Sequence, residues 1–182
     1  MRESRREQLI GAFGRVLATH GYAGATIAAV AADAGVAPGL VHHHFSSKED
    51  LLSGLLADLL ERFRRRAHTL ESQCDPLHAY AGAALRLDAS ADVVAARCWV
   101  GLLAEAVRTP TLFAQVRRLV DAEIETIRRR SGNRLTSQDA AAVLAFILGS
   151  LVLGAFAPRK VAGFAAPAME RFLGIGHPAP SR

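Results

Sequence analysis

Apolar residues along this chain recur every three or four positions. No stretch of four to eight residues alternates apolar and polar with β-branched enrichment, so the pattern predicts helices throughout. Leu9, Ile10, Phe13, Val16 and Leu17 mark a first helix from about Ser4 to His20, stopped by Gly21. Thr26 is a good N-cap for a short second helix with Ile27, Val30, Ala31 and Ala34 as its stripe, and Gly35 ends it. A third short helix follows, with Pro38 in its first turn.

Ser46 and Glu49 have capping-box spacing at the start of a fourth helix. Its stripe, Leu52, Leu55, Leu56, Leu59 and Phe63, runs on to about Leu70. Asp75-Pro76 and Thr109-Pro110 each pair an N-cap with proline at the first position, and Thr136 to Asp139 opens another helix. Gly132 and Pro158 mark two ends. The count is nine helices, the last from about Lys160 to Leu173, before a tail rich in Gly and Pro. Short helices give way to long ones near Ser46, so the expected domains are residues 1–47 and 48–182.

Composition supports an all-α reading. Half the residues are apolar (51%) but only 6% are aromatic, so the core must be built from Ala, Leu and Val. The net charge of +5 is spread over the whole chain, so any DNA-binding half must work by local placement of charge. Cys74 and Cys98 form no C-x-x-C pair, which excludes a disulfide framework or a Cys-rich zinc site. The opening MRESRREQ lacks the apolar run of a signal peptide, so a soluble cytoplasmic protein is expected.

Residues 27–45 form helix, tight turn, helix, the helix-turn-helix arrangement whose second helix enters the major groove. At 100° per residue, Ala37, Val41 and Phe45 share the inner face of that second helix. Gly39 and His43 lie opposite, Leu40 and His42 flank them, and His44 sits nearer the core side. Ordinary solvent-facing helices carry Lys and Glu on such a ridge. This one offers small, apolar and imidazole groups, suited to base edges and a thymine methyl group. Lys48, one of two lysines in the chain, lies at a helix N-terminus, where free N–H groups and the dipole favour phosphate. The other reading is a solvated lysine offset by Glu49 and Asp50. Arg2, Arg5 and Arg6 form a basic start able to reach backbone or minor groove, and read equally as a frayed terminus.

Phe13, His20-Gly21-Tyr22, Thr26-Ile27, Ala31, Ala34-Gly35-Val36 and the run GLVHHHFSSKEDLL resemble the DNA-binding domain of the tetracycline-repressor (TetR) family. The resemblance covers about the first 55 residues. It implies an N-terminal three-helix DNA-binding domain followed by a helical ligand-binding and dimerisation domain. It further implies phosphate contacts from Thr26, His44 and Lys48, and groove contacts from Pro38, Gly39, Leu40, His42 and His43. His42 stands where the family usually has Tyr, and Ala37 where Ser or Thr commonly caps the helix.

The histidines step around the helix with no partner at i+4, so no metal is expected, and no cofactor. Nucleotide and hydrolase motifs are absent from the sequence, which reads as no enzyme. Residues 140–157 carry no charge and would serve as a short membrane span. Their Ala and Gly content, with no Trp or Tyr at either end, fits a buried dimer helix better. The resemblance implies the same, a four-helix bundle across a twofold axis. The expected interface is Leu144, Ala145, Leu148, Gly149 and Val152, with Phe164 and Ala168 of the last helix. Between the two ends, Trp99, Leu102, Leu103 and Phe113 could line an effector cavity, with Glu105 and Arg108 orienting a polar group. Trp99 as plain core, with Glu105 paired to Arg108, reads equally well. This stretch, CWVGLLAEAVRTPTLF, resembles the betaine-inhibitor (BetI)-like branch, and no ligand is carried over from it.

The sequence thus reads as a homodimeric repressor of a palindromic operator, released by a small effector. A protein anchored in a membrane by residues 140–157, or a helical dimer without DNA function, are the other readings.

Overall fold

The computed structural model describes residues 4–85 and 90–173. Among them are nine helices and no strand: α1 (Arg5–Gly24), α2 (Ile27–Ala34), α3 (Pro38–His44), α4 (Lys48–Glu71), α5 (Pro76–Leu85), α6 (Ser90–Ala106), α7 (Pro110–Arg130), α8 (Ser137–Phe156) and α9 (Pro158–Phe172). Arg2 and the tail beyond Leu173 lie outside the described residues.

Most boundaries follow from local capping. Ser4 and Glu7 close a capping box on α1, and Thr136 and Asp139 another on α8. The Asp75 carboxylate accepts the N–H groups of Leu77 (2.9 Å) and His78 (3.3 Å) at the start of α5. Gly35, with φ of 66°, supplies the left-handed turn between α2 and α3. Gly21 (φ 68°) breaks α1, after which one more turn forms over residues 22–24. Two expectations need correction. The cap of α4 is Ser47, not Ser46: Ser47 Oγ accepts the Asp50 N–H (3.1 Å), while Asp50 takes the Ser46 N–H (3.1 Å). Asp50 therefore does what Glu49 was expected to do. And α9 begins at Pro158, since proline at the first turn needs no donor.

The chain forms two compact units, Met1–Arg62 with Ala91–Arg118, and Phe63–Ser90 with Leu119–Arg182. They do not follow the expected 47/48 division, because much of α4 and α6 packs with the first three helices. Unit 1 is built on Leu9, Phe13, Val30, Val41, Phe45, Leu51, Leu52 and Leu102, all at most 1% exposed. Close approach depends on glycine here. A Cβ on Gly14 would meet Leu55 Cδ1 at 3.3 Å, and one on Gly54 would meet Ile10 Cδ1 at 3.3 Å. Gln8 Nε2 donates to the Ala34 carbonyl (2.9 Å) and Arg15 pairs with Asp33 (2.7 Å), so α1 holds both faces of α2.

In unit 2, Leu77, Tyr80 and Leu85 of α5 meet Val143 and Ile147 of α8, Val161 and Met169 of α9, and Ile127 of α7. A polar chain runs through this core. The Tyr80 hydroxyl donates to Glu123 Oε2 at 2.6 Å, and Arg64 lies 3.8 Å from Glu123 Oε1. The α8 helix is long and apolar enough to cross a membrane, yet one side of it is core: Ala140, Val143, Leu144 and Ile147 are buried. Its other side is bare. Val152 (39%), Leu153 (54%) and Phe156 (80%) are exposed, as are Phe164 (43%) and Phe172 (66%) of α9.

Candidate nucleic-acid interface

The short α3 is anchored by Val41 and Phe45 (0% and 1% exposed), spaced one turn apart. That leaves Pro38, Gly39, His42 and His43 exposed, with Leu40 and His44 half-buried. The five groove candidates and His44 thus stand on one short helix. Their surface carries no Lys, Arg, Asp or Glu. The His43 and His44 rings meet edge to face, with centroids 5.2 Å apart. Nothing occupies the space where a Gly39 Cβ would sit, so a backbone can come close there. Ala37 gives α3 no side-chain cap, as expected from its methyl group.

Of the three phosphate candidates, Thr26 and Lys48 lie at helix N-termini, and His44 is the last residue of α3. Thr26 is exposed, and its Oγ1 accepts the Ala29 N–H at 3.1 Å. Its hydroxyl proton stays available to an anion. Lys48 opens α4 but is not a freely solvated lysine. Its Nζ donates to the Tyr22 carbonyl and lies 3.9 Å from the centre of the Tyr22 ring. Burial draws its pKa below the ordinary lysine value, while the carboxylates of Glu105 and Glu49 work the other way. The Tyr22 hydroxyl donates to Glu49 Oε1 at 3.1 Å. Burial first, and that carboxylate second, push the Tyr22 phenol up to about 12. Glu49 is held below the usual carboxylate range by its own backbone N–H, then by Ser47 and Tyr22.

Sequence reasoning gave Tyr22 no separate role. The break at Gly21, which frees the next residues from the helix, was the available signal. Of the basic start, Arg6 stacks over the Phe45 ring at 4.8 Å and Arg5 donates to Gln8 at 2.5 Å.

Of the expected effector residues, Trp99, Leu102, Leu103 and Glu105 lie on α6 and Phe113 on α7. Leu102 is fully buried in the unit 1 core, Trp99 and Leu103 are half-buried, and Phe113 is 52% exposed. The Glu105 carboxylate accepts the Thr109 hydroxyl at 3.2 Å, a partner one turn on rather than Arg108. Two hollows lie in unit 2. The larger, about 670 Å³, is lined by Glu71, Asp75, Thr126, Arg129, Arg130 and Arg134. Of the expected interface, Ala145, Gly149, Val152 and Phe164 are exposed, and Leu148 and Ala168 half-buried. Leu144, at 7% exposed, packs in the core of unit 2, about 80° around α8 from Val152. The described residues include no cluster of three His, Cys, Asp or Glu able to hold a metal.

An apolar-anchored second helix with an outward ridge, following a glycine turn, is the construction of helix-turn-helix DNA-binding regulators. Residues 11–55 match the family described as bacterial regulatory proteins, tetR family. The chain is 30% identical over 171 residues to the HTH-type transcriptional regulator BetI of Stenotrophomonas maltophilia, covering 86% of each protein. It is 32% identical over 123 residues to the BetI of Rhizobium meliloti, an alignment spanning 66% of this chain and 59% of that protein. The crystal structure of a transcriptional regulator from Rhodococcus sp. Rha1 superposes with a TM-score of 0.83 at 25% identity, over 94% and 95% of the two chains. The chain belongs to the TetR family, with a BetI-like resemblance. It is a DNA-binding transcriptional regulator, and the family is not enzymatic.

Proposed function

We propose that the chain acts as a cytoplasmic homodimer that represses transcription from a palindromic operator and leaves it when a small molecule binds the helical body. The observation that carries this reading is the α3 ridge. Gly39, His42 and His43 are exposed and the ridge carries no Lys, Arg, Asp or Glu, with Thr26 capping α2 and Lys48 opening α4. Base edges are read by the ridge, and the flanking groups set register on phosphate. In this reading Pro38 and Leu40 make apolar groove contacts and His44 meets backbone.

Two recognition helices must reach successive major grooves, about 34–36 Å apart or a multiple of it, which one chain does not supply. The bare apolar side of α8 and α9 supports a twofold partner. Gly149, with open space at its Cβ position, and Ala145 let two α8 helices approach closely. The half-buried side of α8 speaks against a membrane span, since Val143, Leu144 and Ile147 already pack within unit 2. Residues 48–182 serve as the dimerising and effector-responsive part in this proposal.

The test is a mobility shift with DNA from upstream of the chain's own coding region, run with sedimentation. A dimer of about twice 19.4 kDa that shifts one upstream fragment over competitor DNA is expected. A monomer, or equal binding to all fragments, refutes the proposal.

A further inference from the structure

Tyr22 lies outside the α3 ridge, yet it touches the start of α4 at three points. Because Gly21 breaks α1, the Tyr22 carbonyl is turned out of the regular helix. It accepts the Ala25 N–H (3.2 Å) and a proton of Lys48 Nζ. The Tyr22 ring lies under the same ammonium at 3.9 Å. The Tyr22 hydroxyl, at the far end of that ring, donates to Glu49 Oε1 at 3.1 Å.

These contacts sort the charges at the start of α4. The first turn holds two carboxylates, Glu49 and Asp50, either of which would neutralise Lys48 on pairing with it. Asp50 is occupied by the Ser46 N–H (3.1 Å) and hydroxyl (3.3 Å). Glu49 is held by its own backbone N–H, by Ser47 and by the Tyr22 hydroxyl. Glu105 of α6, whose field also reaches Lys48, accepts the Thr109 hydroxyl. The ammonium is held instead by a neutral carbonyl and a ring face, which orient it without cancelling its charge. An ammonium has three protons, and the Tyr22 carbonyl takes one. Fixing the long lysine stem beforehand also lowers the entropy lost when an anion arrives.

We propose that Tyr22 is a positioning residue for DNA binding: its hydroxyl helps hold Glu49 out of a direct ion pair with Lys48, while its carbonyl and ring present the ammonium to a DNA phosphate. This rests on the reading that Lys48 meets phosphate. A phosphate contact weakens or strengthens all sequences alike, so the probe need not be the operator.

The test uses the full chain and a mixed-sequence duplex of about 40 base pairs, with affinity read by anisotropy between about 50 and 200 mM salt. Tyr22→Phe keeps the ring and carbonyl and removes the hydroxyl alone. It removes one of the three groups that hold Glu49 and so lets the carboxylate turn towards Lys48. Binding is expected to weaken about two- to fivefold at the low-salt end. The salt slope is expected to become shallower by up to about one unit per chain. Glu49→Gln added to Tyr22→Phe should restore affinity and slope, a rescue that a packing defect would not show. In a Lys48→Met background, Tyr22→Phe should change neither. The proposal is overturned if Tyr22→Phe binds like wild type, if Glu49→Gln does not rescue it, or if its loss persists without Lys48. If Lys48→Met itself leaves affinity and slope unchanged, the phosphate reading of Lys48 falls and takes the proposal with it. That outcome is distinguishable, because a failure of Tyr22 alone leaves Lys48→Met impaired.

Discussion

Substitution on the bare side of α8 should separate the dimer from the fold of the chain. Phe156 is 80% exposed and Gly149 has open space around its Cβ position, so neither position contributes to packing within one copy. Burying a phenylalanine side chain fully is worth about 1.5–3 kcal/mol, so covering the exposed part of Phe156 contributes about 1–2.5 kcal/mol. A twofold interface counts each substitution twice, so Phe156→Ala should weaken the dimer by about 2–5 kcal/mol. That is roughly 30-fold to a few thousand-fold in the dissociation constant. Gly149→Arg places a long cation where two helices approach, and should leave a monomer at micromolar concentration. Sedimentation gives the association constant, and far-ultraviolet circular dichroism reports whether helix content is kept. The variants should lose operator binding in step with dimerisation. If Phe156→Ala and Gly149→Arg dimerise as tightly as wild type, this side of α8 is not the interface, and the argument from its bare apolar surface is wrong.

Three further outcomes follow from single side chains. Tyr80→Phe removes the proton donor to the buried Glu123 carboxylate, leaving Arg64 at 3.8 Å as a weak substitute. It should cost about 1–3 kcal/mol in chemical denaturation, and a neutral result would show that Glu123 finds another donor. Burial, its largest cause, pushes the Cys98 thiol from 9.0 up to about 11, so at pH 8 iodoacetamide should modify Cys74 and spare Cys98 until the chain unfolds. The sign follows from linkage: the unfolded thiol loses its proton first, so this site lowers stability as pH rises from about 9 towards 11 and has no effect below. His43→Ala should relax sequence preference while His44→Gln weakens all sequences alike, as competition mobility shifts would measure. The reverse result would exchange their roles on α3.

Most helix starts were legible because they are set by residues adjacent in sequence. Thr26, Asp75-Pro76, Thr109-Pro110 and Thr136 cap or open helices using atoms within one turn. The α3 ridge was legible for a similar reason. Once Val41 and Phe45 turn inward, the period of the helix dictates that Gly39 and His43 turn outward. Where two local solutions were equally good, the tertiary structure chose. Ser46 and Ser47 are both caps in principle. Packing Leu51 and Leu52 into the unit 1 core, at 0% and 1% exposure, brings the helix start to Lys48 and so selects Ser47 and Asp50. The α8 helix shows the limit most clearly. Apolar on all sides, it carries no record in its own sequence of which face its own chain covers and which it leaves bare. Leu144 and Val152 look alike as letters, but α5 and α9 cover the first and not the second. The expected effector residues show the same limit. Trp99, Leu102 and Phe113 are neighbours in sequence, yet one is half-buried, one fully buried and one exposed. The hold of Tyr22 on Lys48 joins residues 26 positions apart, and no local rule of spacing predicts it. The sequence by itself thus determined the helices, their order and the outward face of α3, because capping and periodicity act within one turn. Only the tertiary structure decided which charges are paired and which apolar faces are left bare, because both depend on neighbours that folding brings together.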